Sequence, residues 1–103
     1  MSTDRELLEL AAKAVGLDAT WRPNVAEGGE WLAVVDGNNW TEWNPLTDDG
    51  DALRLAVKLR LDIEHGNEAL SVFGCKVAYG DDPFAATRRA IVLCAAQIGR
   101  SLP

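Results

Sequence analysis

Asp48, Asp49 and Asp51 are the densest set of hard oxygen donors in the chain, falling as D-D-x-D. A divalent cation wants several oxygens at once, and an EF-hand loop spaces its acids at alternate positions and closes with a glutamate. Here the acids are bunched, and the closing position holds Leu59. An aspartate ahead of a helix accepts hydrogen bonds from free first-turn amides and complements the positive end of the dipole. The spacing therefore predicts helix capping rather than a metal site, and Asp81-Asp82 predicts the same for a later helix. The lone histidine, His65, stands before a Gly66-Asn67 turn. A Cys–His nucleophilic pair would need Cys75 or Cys94 beside it and accessible. The few serines (Ser2, Ser71, Ser101) form no nucleophile elbow, and Gly28-Gly29 lacks the lysine and threonine of a phosphate loop. No catalytic residue, cofactor or metal is expected.

Trp21, Trp31, Trp40 and Trp43 fall within twenty-three residues. Tryptophan offers a large contact area with one polar handle, so it is enriched at interaction hot spots. These four rings either pack in the core or seal the edge of a sheet, or else form a partner-binding surface together with Asp48, Asp49 and Asp51. Trp40 and Trp43 point oppositely if the segment is extended, so one of the two is expected to be more exposed. Arg88 and Arg89 are adjacent, and neighbours on a helix diverge by about 100°. At least one of them should reach solvent or an acid.

The remaining composition bounds the answer. The 103 residues fit one domain, 1–103, and an apolar fraction of 48% suffices for a core. The net charge of −6 is uneven: residues 1–51 carry −8 and residues 52–103 carry +2. Such a chain is repelled by phosphate backbones, so direct nucleic-acid binding is disfavoured. The start Met1-Ser2-Thr3-Asp4 is polar and acidic, unlike a secretory leader. No apolar run reaches the ~18 residues of a membrane span, and a cytoplasmic location is expected. Cys75 and Cys94, nineteen apart in apolar surroundings, read as two buried reduced thiols, with a disulfide or a reactive thiol as alternatives.

Three helices and several short strands must position these groups. Thr3 and Glu6 form a capping box ahead of Leu7, Leu8, Ala11 and Val15, with Gly16 as a left-handed stop. Residues 17–30 read as irregular. Trp31–Val35 and Trp40–Trp43 read as strands joined by a turn at residues 36–39, and Pro45 ends the second. A second helix starts at Asp48 or Asp49, with Ala52, Leu53, Leu55, Ala56 and Leu59 as its apolar face. Leu61–His65 alternates as a strand, and Ala69–Tyr79 is strand-like with a bulge or bend at Gly74. Asp82-Pro83 opens a third helix running to Gly99, apolar all round from Ala90 to Ala96. Asp48…Ala52-x-Arg54-x-Ala56-Val57 matches Asp82…Ala86-x-Arg88-x-Ala90-Ile91 at an offset of 34. Shared capping and patterning rules account for that match, and a faint duplication is the alternative. The order predicts an α/β domain with a small, mostly antiparallel sheet and helices on both faces.

NPLTDDGDALRLAVKL, a strand-rich stretch and DDPFAATRRAIVLCAAQIG together resemble the bacteriophage ABA-sandwich domain family. The resemblance spans roughly residues 21–100, and its strongest blocks are Asn44–Leu59 and Asp81–Gly99. It implies a three-layer α-β-α sandwich encoded by a phage or prophage and acting in the host bacterial cytoplasm. It implies no catalytic or binding residue. The expected function is a small accessory protein that binds a host or phage protein, one form being an inhibitor of host defence that mimics the charge of DNA. A self-associating assembly factor, for instance a homodimer, is the second reading, and an enzyme is the least favoured.

Overall fold

A computed structural model describes the backbone of residues 3–22, 30–36 and 39–103, and the side chains of that set outside 20–40. Three helices alternate with two antiparallel three-stranded sheets, so the chain is a small α/β fold. Helix α1 is Asp4–Ala14. Strands β1 (Ala19–Arg22), β2 (Glu30–Asp36) and β3 (Asn39–Glu42) form the first sheet, in that order. Helix α2 (Asp49–Leu59) follows, then β4 (Ile63–His65), β5 (Ala69–Val72) and β6 (Cys75–Ala78) in the second sheet, and finally α3 (Pro83–Ser101).

The helix ends follow from local chemistry. The Thr3 hydroxyl accepts from the Glu6 amide at 3.2 Å and caps α1. At its other end Gly16, at φ 68°, lets Leu17 N–H reach the Ala12 carbonyl at 2.9 Å, which satisfies a carbonyl the helix would otherwise leave open. Asp48 caps α2 through the Asp51 amide, and Asp82 caps α3 through the amides of Phe84 and Ala85. Pro83 at the first position gives up only an amide that has no helical partner.

The core gathers the buried side chains of α1, α2, α3 and the inner face of the second sheet. Leu70, Val72 and Val92 are its largest fully buried apolar side chains besides Pro45. On α3, Ala90, Ile91, Val92, Cys94, Ala95 and Ala96 are all buried, as expected of the apolar 90–96 stretch. Helix α3 packs on α1, on α2, and on β5 and β6. The α1 contact is close because Gly99 has no side chain: a Cβ there would overlap the Leu10 carbonyl oxygen. The second sheet turns Ile63, Leu70 and Val72 inward, while Glu64 and Lys76 on its other face are exposed.

Three features differ from the sequence reading. Residues 19–22 are a strand, β1, inside the segment read as irregular. Ala69–Tyr79 is a hairpin rather than one bent strand: Val72 pairs with Cys75, and Phe73-Gly74 make a two-residue turn at φ 46° and 84°. Leu53, assigned to the apolar face of α2, is 62% exposed. Ala52, Leu55 and Ala56 fill the space that neighbouring elements can cover, and Leu53 lies beyond that arc. The expected turn at residues 36–39 and the Gly28-Gly29 pair involve positions outside the described residues, although β2 and β3 pair antiparallel on either side of that turn.

Candidate functional site

The acidic set at the head of α2 is held by internal bonds. Asp48 Oδ2 accepts from the Asp51 amide at 2.8 Å. Asp51 is buried, and its carboxylate accepts from the Asn44 amide at 3.0 Å and from Arg54 at 3.1 Å. Asn44 Oδ1 in turn accepts from the Leu46 amide, while its carbonyl accepts from the amides of Thr47 and Asp48. Asp49 pairs with Arg88 at 2.6 Å. Arg88 is 84% removed from solvent (side-chain exposure 16%) and also donates from Nε to the Leu46 carbonyl at 2.9 Å. It therefore locks the start of α2 and the preceding loop onto α3. Arg89 pairs with Asp4 at 3.2 Å, so both adjacent arginines find acids. No cluster of three or more metal-ligating side chains occurs among the described residues.

Two of the sequence candidates for partner binding, Trp43 and Asp51, are placed inside the fold. Trp43 is 5% exposed and belongs to the core beside Pro45. It lies just past β3, where the chain turns inward toward α2. Asp51 is likewise unavailable, because its oxygens hold Asn44 and Arg54. Asp48 and Asp49 remain exposed at the surface. The side chains of Trp21, Trp31 and Trp40 lie outside the described residues, although the strand register sets Trp21 opposite Trp31 and Trp40 opposite Val34.

A concave opening lies elsewhere among the described residues. A groove of about 470 Å³ runs between the N-terminal halves of α2 and α3 and the ends of β4 and β6. Ala52, Ile63 and Ile91 form its floor, and Leu53, Pro83 and Phe84 its walls. Leu53 and Phe84 are 62% and 70% exposed. Val57, one turn beyond Leu53 on α2, is 67% exposed and extends the apolar surface. His65 and Tyr79 stand among the lining residues, as do Asp49 and Arg88.

The polar groups of this groove are largely committed. Tyr79 donates its hydroxyl hydrogen to the Gly66 carbonyl at 3.0 Å, and its oxygen lies 2.9 Å from His65 Nδ1. With the tyrosine proton spent on Gly66, Nδ1 must carry the hydrogen in that contact, which leaves Nε2 of a neutral ring as an acceptor. The two rings stack with centroids 6.1 Å apart. Thr87 donates its hydroxyl to the Pro83 carbonyl at 2.8 Å. Cys75 does not line the groove; its thiol turns to Gln97 at 3.6 Å. His65 thus lines the groove without Cys75, and the groove's described lining offers apolar contact with one imidazole acceptor. Sequence reasoning treated Leu53 as core and did not single out Phe84. The available signal was that the apolar positions of α2 span too wide an arc for one neighbour to cover.

Comparison with protein-family models, with curated proteins and with solved structures yields no match to this chain. No described helix is long and apolar enough to cross a membrane.

Proposed function

We propose that this chain is a small phage- or prophage-encoded accessory protein that binds a host or phage protein in the bacterial cytoplasm, using the α2–α3 groove as its contact surface. The single observation behind this reading is the exposure of Leu53 and Phe84 around an apolar floor, with exposed Val57 one turn further along α2. Scattered exposed apolar residues need no explanation, but apolar side chains grouped around a concave opening mark interaction sites. Aromatic and aliphatic anchors at such a site supply most of the binding energy, and surrounding charge steers the approach. The −8 charge of residues 1–51 suits the steering role. The phage source and the three-layer sandwich rest on the resemblance of residues 44–59 and 81–99.

The test is capture from bacterial lysate with three baits: wild type, Leu53→Lys/Phe84→Ser, and Lys76→Glu on the opposite face of the sheet. A protein retained by wild type and by Lys76→Glu but lost by the groove variant is the expected result. Identical captures by all three would sink the groove as the contact surface. The same exposed patch also suits a self-associating assembly factor. Sedimentation of wild type beside the groove variant separates the two, because a dimer that dissociates only in the variant makes the partner a second copy.

A further inference from the structure

Cys75 and Cys94, nineteen residues apart in sequence, meet where β6 packs on α3. Cys75 opens β6 directly opposite Val72, which is fully buried, so both face the helix. Its thiol donates to Gln97, one turn beyond Cys94 on α3. Cys94 is buried, and Cys75 is near enough to add to the rise that burial gives its ionisation. Both thiols are free, and Cys75 is only half-buried. A mobile reagent therefore has access to one member of a thiol pair whose other member waits directly behind it.

We propose that Cys75 and Cys94 are a modification site: a reversible intramolecular disulfide that staples β6 to α3, with Cys75 as the attacking thiol and Cys94 as the resolving one. A small-molecule disulfide such as oxidised glutathione is the oxidant. The Cys75 thiolate attacks one of its sulfurs, forming a mixed disulfide and releasing one glutathione thiolate, which takes up the proton lost by Cys75. Cys94 then loses its proton to solvent and attacks Cys75 Sγ. The bond to glutathione breaks, and the second glutathione leaves as a thiolate that protonates. Two protein thiols are oxidised and one glutathione disulfide is reduced to two thiols. The order follows from environment: burial, with Cys75 adding to it, pushes the Cys94 thiol above its ordinary 9.0, so Cys94 stays protonated and reacts second. Ile91, one turn before Cys94, and Tyr79, just past β6, both line the groove. The staple would fix the spacing of those two lining residues.

The purified full chain is equilibrated in glutathione buffers of rising oxidised fraction, alkylated, and mapped by peptide mass spectrometry. Wild type is expected to yield a Cys75–Cys94 cross-link, a mass lower by two hydrogens, and a raised thermal midpoint that dithiothreitol reverses. Cys94→Ser is expected to stall as a glutathione adduct on Cys75, and Cys75→Ser to keep its remaining thiol unmodified. Circular dichroism confirms that each variant is folded, and Cys94→Ala replaces Cys94→Ser if the buried hydroxyl unfolds the chain. Accumulation of the Cys75 adduct in wild type with Cys94 still free would overturn the proposal. So would cross-links between separate chains.

Discussion

Arg60 ends α2 with φ 54° and ψ 47°, a left-handed conformation in which its Cβ crowds its own carbonyl. The geometry is the glycine stop of α1 repeated without glycine: the Leu61 amide reaches the Ala56 carbonyl at 2.9 Å, and the Arg60 amide reaches Val57 at 3.2 Å. Arg60→Gly should raise unfolding stability by about 1 kcal/mol, the relief of the Cβ clash less the added entropy of the unfolded chain. Urea denaturation reads this as a shifted midpoint with an unchanged slope. Phe73 presents the same conflict at φ 46° in the β5–β6 turn, while 58% exposed. Asn-Gly is the favoured pair for such a turn, so Phe73→Asn should stabilise by roughly 0.5–1 kcal/mol in the same assay. Cys94 carries a pH dependence. Its folded-state ionisation lies above 9.0, the value it takes in an unfolded chain. Below that value both states are protonated and the thiol's full contribution is present. As pH rises past it the unfolded chain gives up the proton first, and stability falls until the folded thiol also ionises. Denaturation at about pH 8 and about pH 10 should therefore show a larger loss for wild type than for Cys94→Ala, the comparison that removes the tyrosine and lysine background.

Among the described elements, α1 and α3 approach closely at Gly99. Gly99 is buried with the Leu10 carbonyl against it, and backbone cannot move aside as a flexible side chain would. Gly99→Ala raises helix propensity by about 1 kcal/mol but must separate two helices, so a net destabilisation of roughly 1–3 kcal/mol is expected. A stabilised variant in thermal melts would show that the helices are free to shift. The loop ahead of α2 depends on Asp51. Asp51→Ala leaves the part-buried Asn44 amide without its acceptor and should cost about 1–3 kcal/mol, whereas Asp48→Ala removes only a helix cap and should cost about 1 kcal/mol. The matched stretches of α2 and α3 show how far a pattern reaches. Asp48 and Asp82 both cap their helices, which the sequence rules anticipate. The equivalent arginines diverge: Arg54 is 73% exposed beside Asp51, and Arg88 is 16% exposed and tied to Asp49 and Leu46. The capping is local and readable from residue order. The fate of an arginine is set by what packs beside the helix.

Across the whole molecule the same division holds. The three helices, their caps and the apolar stretch of α3 were legible because each follows from residues within one or two turns. β1 was not, since its pairing partner, β2, lies beyond a segment of glycine, proline and charge. Nor was the groove, because it belongs to no one element: α2, α3 and β4 contribute side chains, and so does Tyr79 just past β6. Trp43 was ambiguous in sequence for a related reason, as a tryptophan after a strand packs inward or outward according to where the next helix lies. This separation of surface from core predicts two different responses to mutation. Leu53, Val57 and Phe84 are 62%, 67% and 70% exposed, so Leu53→Gln, Val57→Gln and Phe84→Ser should each change unfolding stability by no more than about 0.5 kcal/mol. Leu70, at 1% exposure, belongs to the core, and Leu70→Ala should cost about 2–5 kcal/mol through lost burial and the cavity left behind. Denaturant midpoints for the four variants would show whether the groove side chains serve the fold. A large loss from Leu53→Gln or Phe84→Ser would mean that they do, and the groove would then lose its standing as a contact surface. Near-neutral values beside a severe Leu70→Ala would mean that three large apolar side chains are kept in water at no benefit to folding, which leaves binding as the physical reason for their placement.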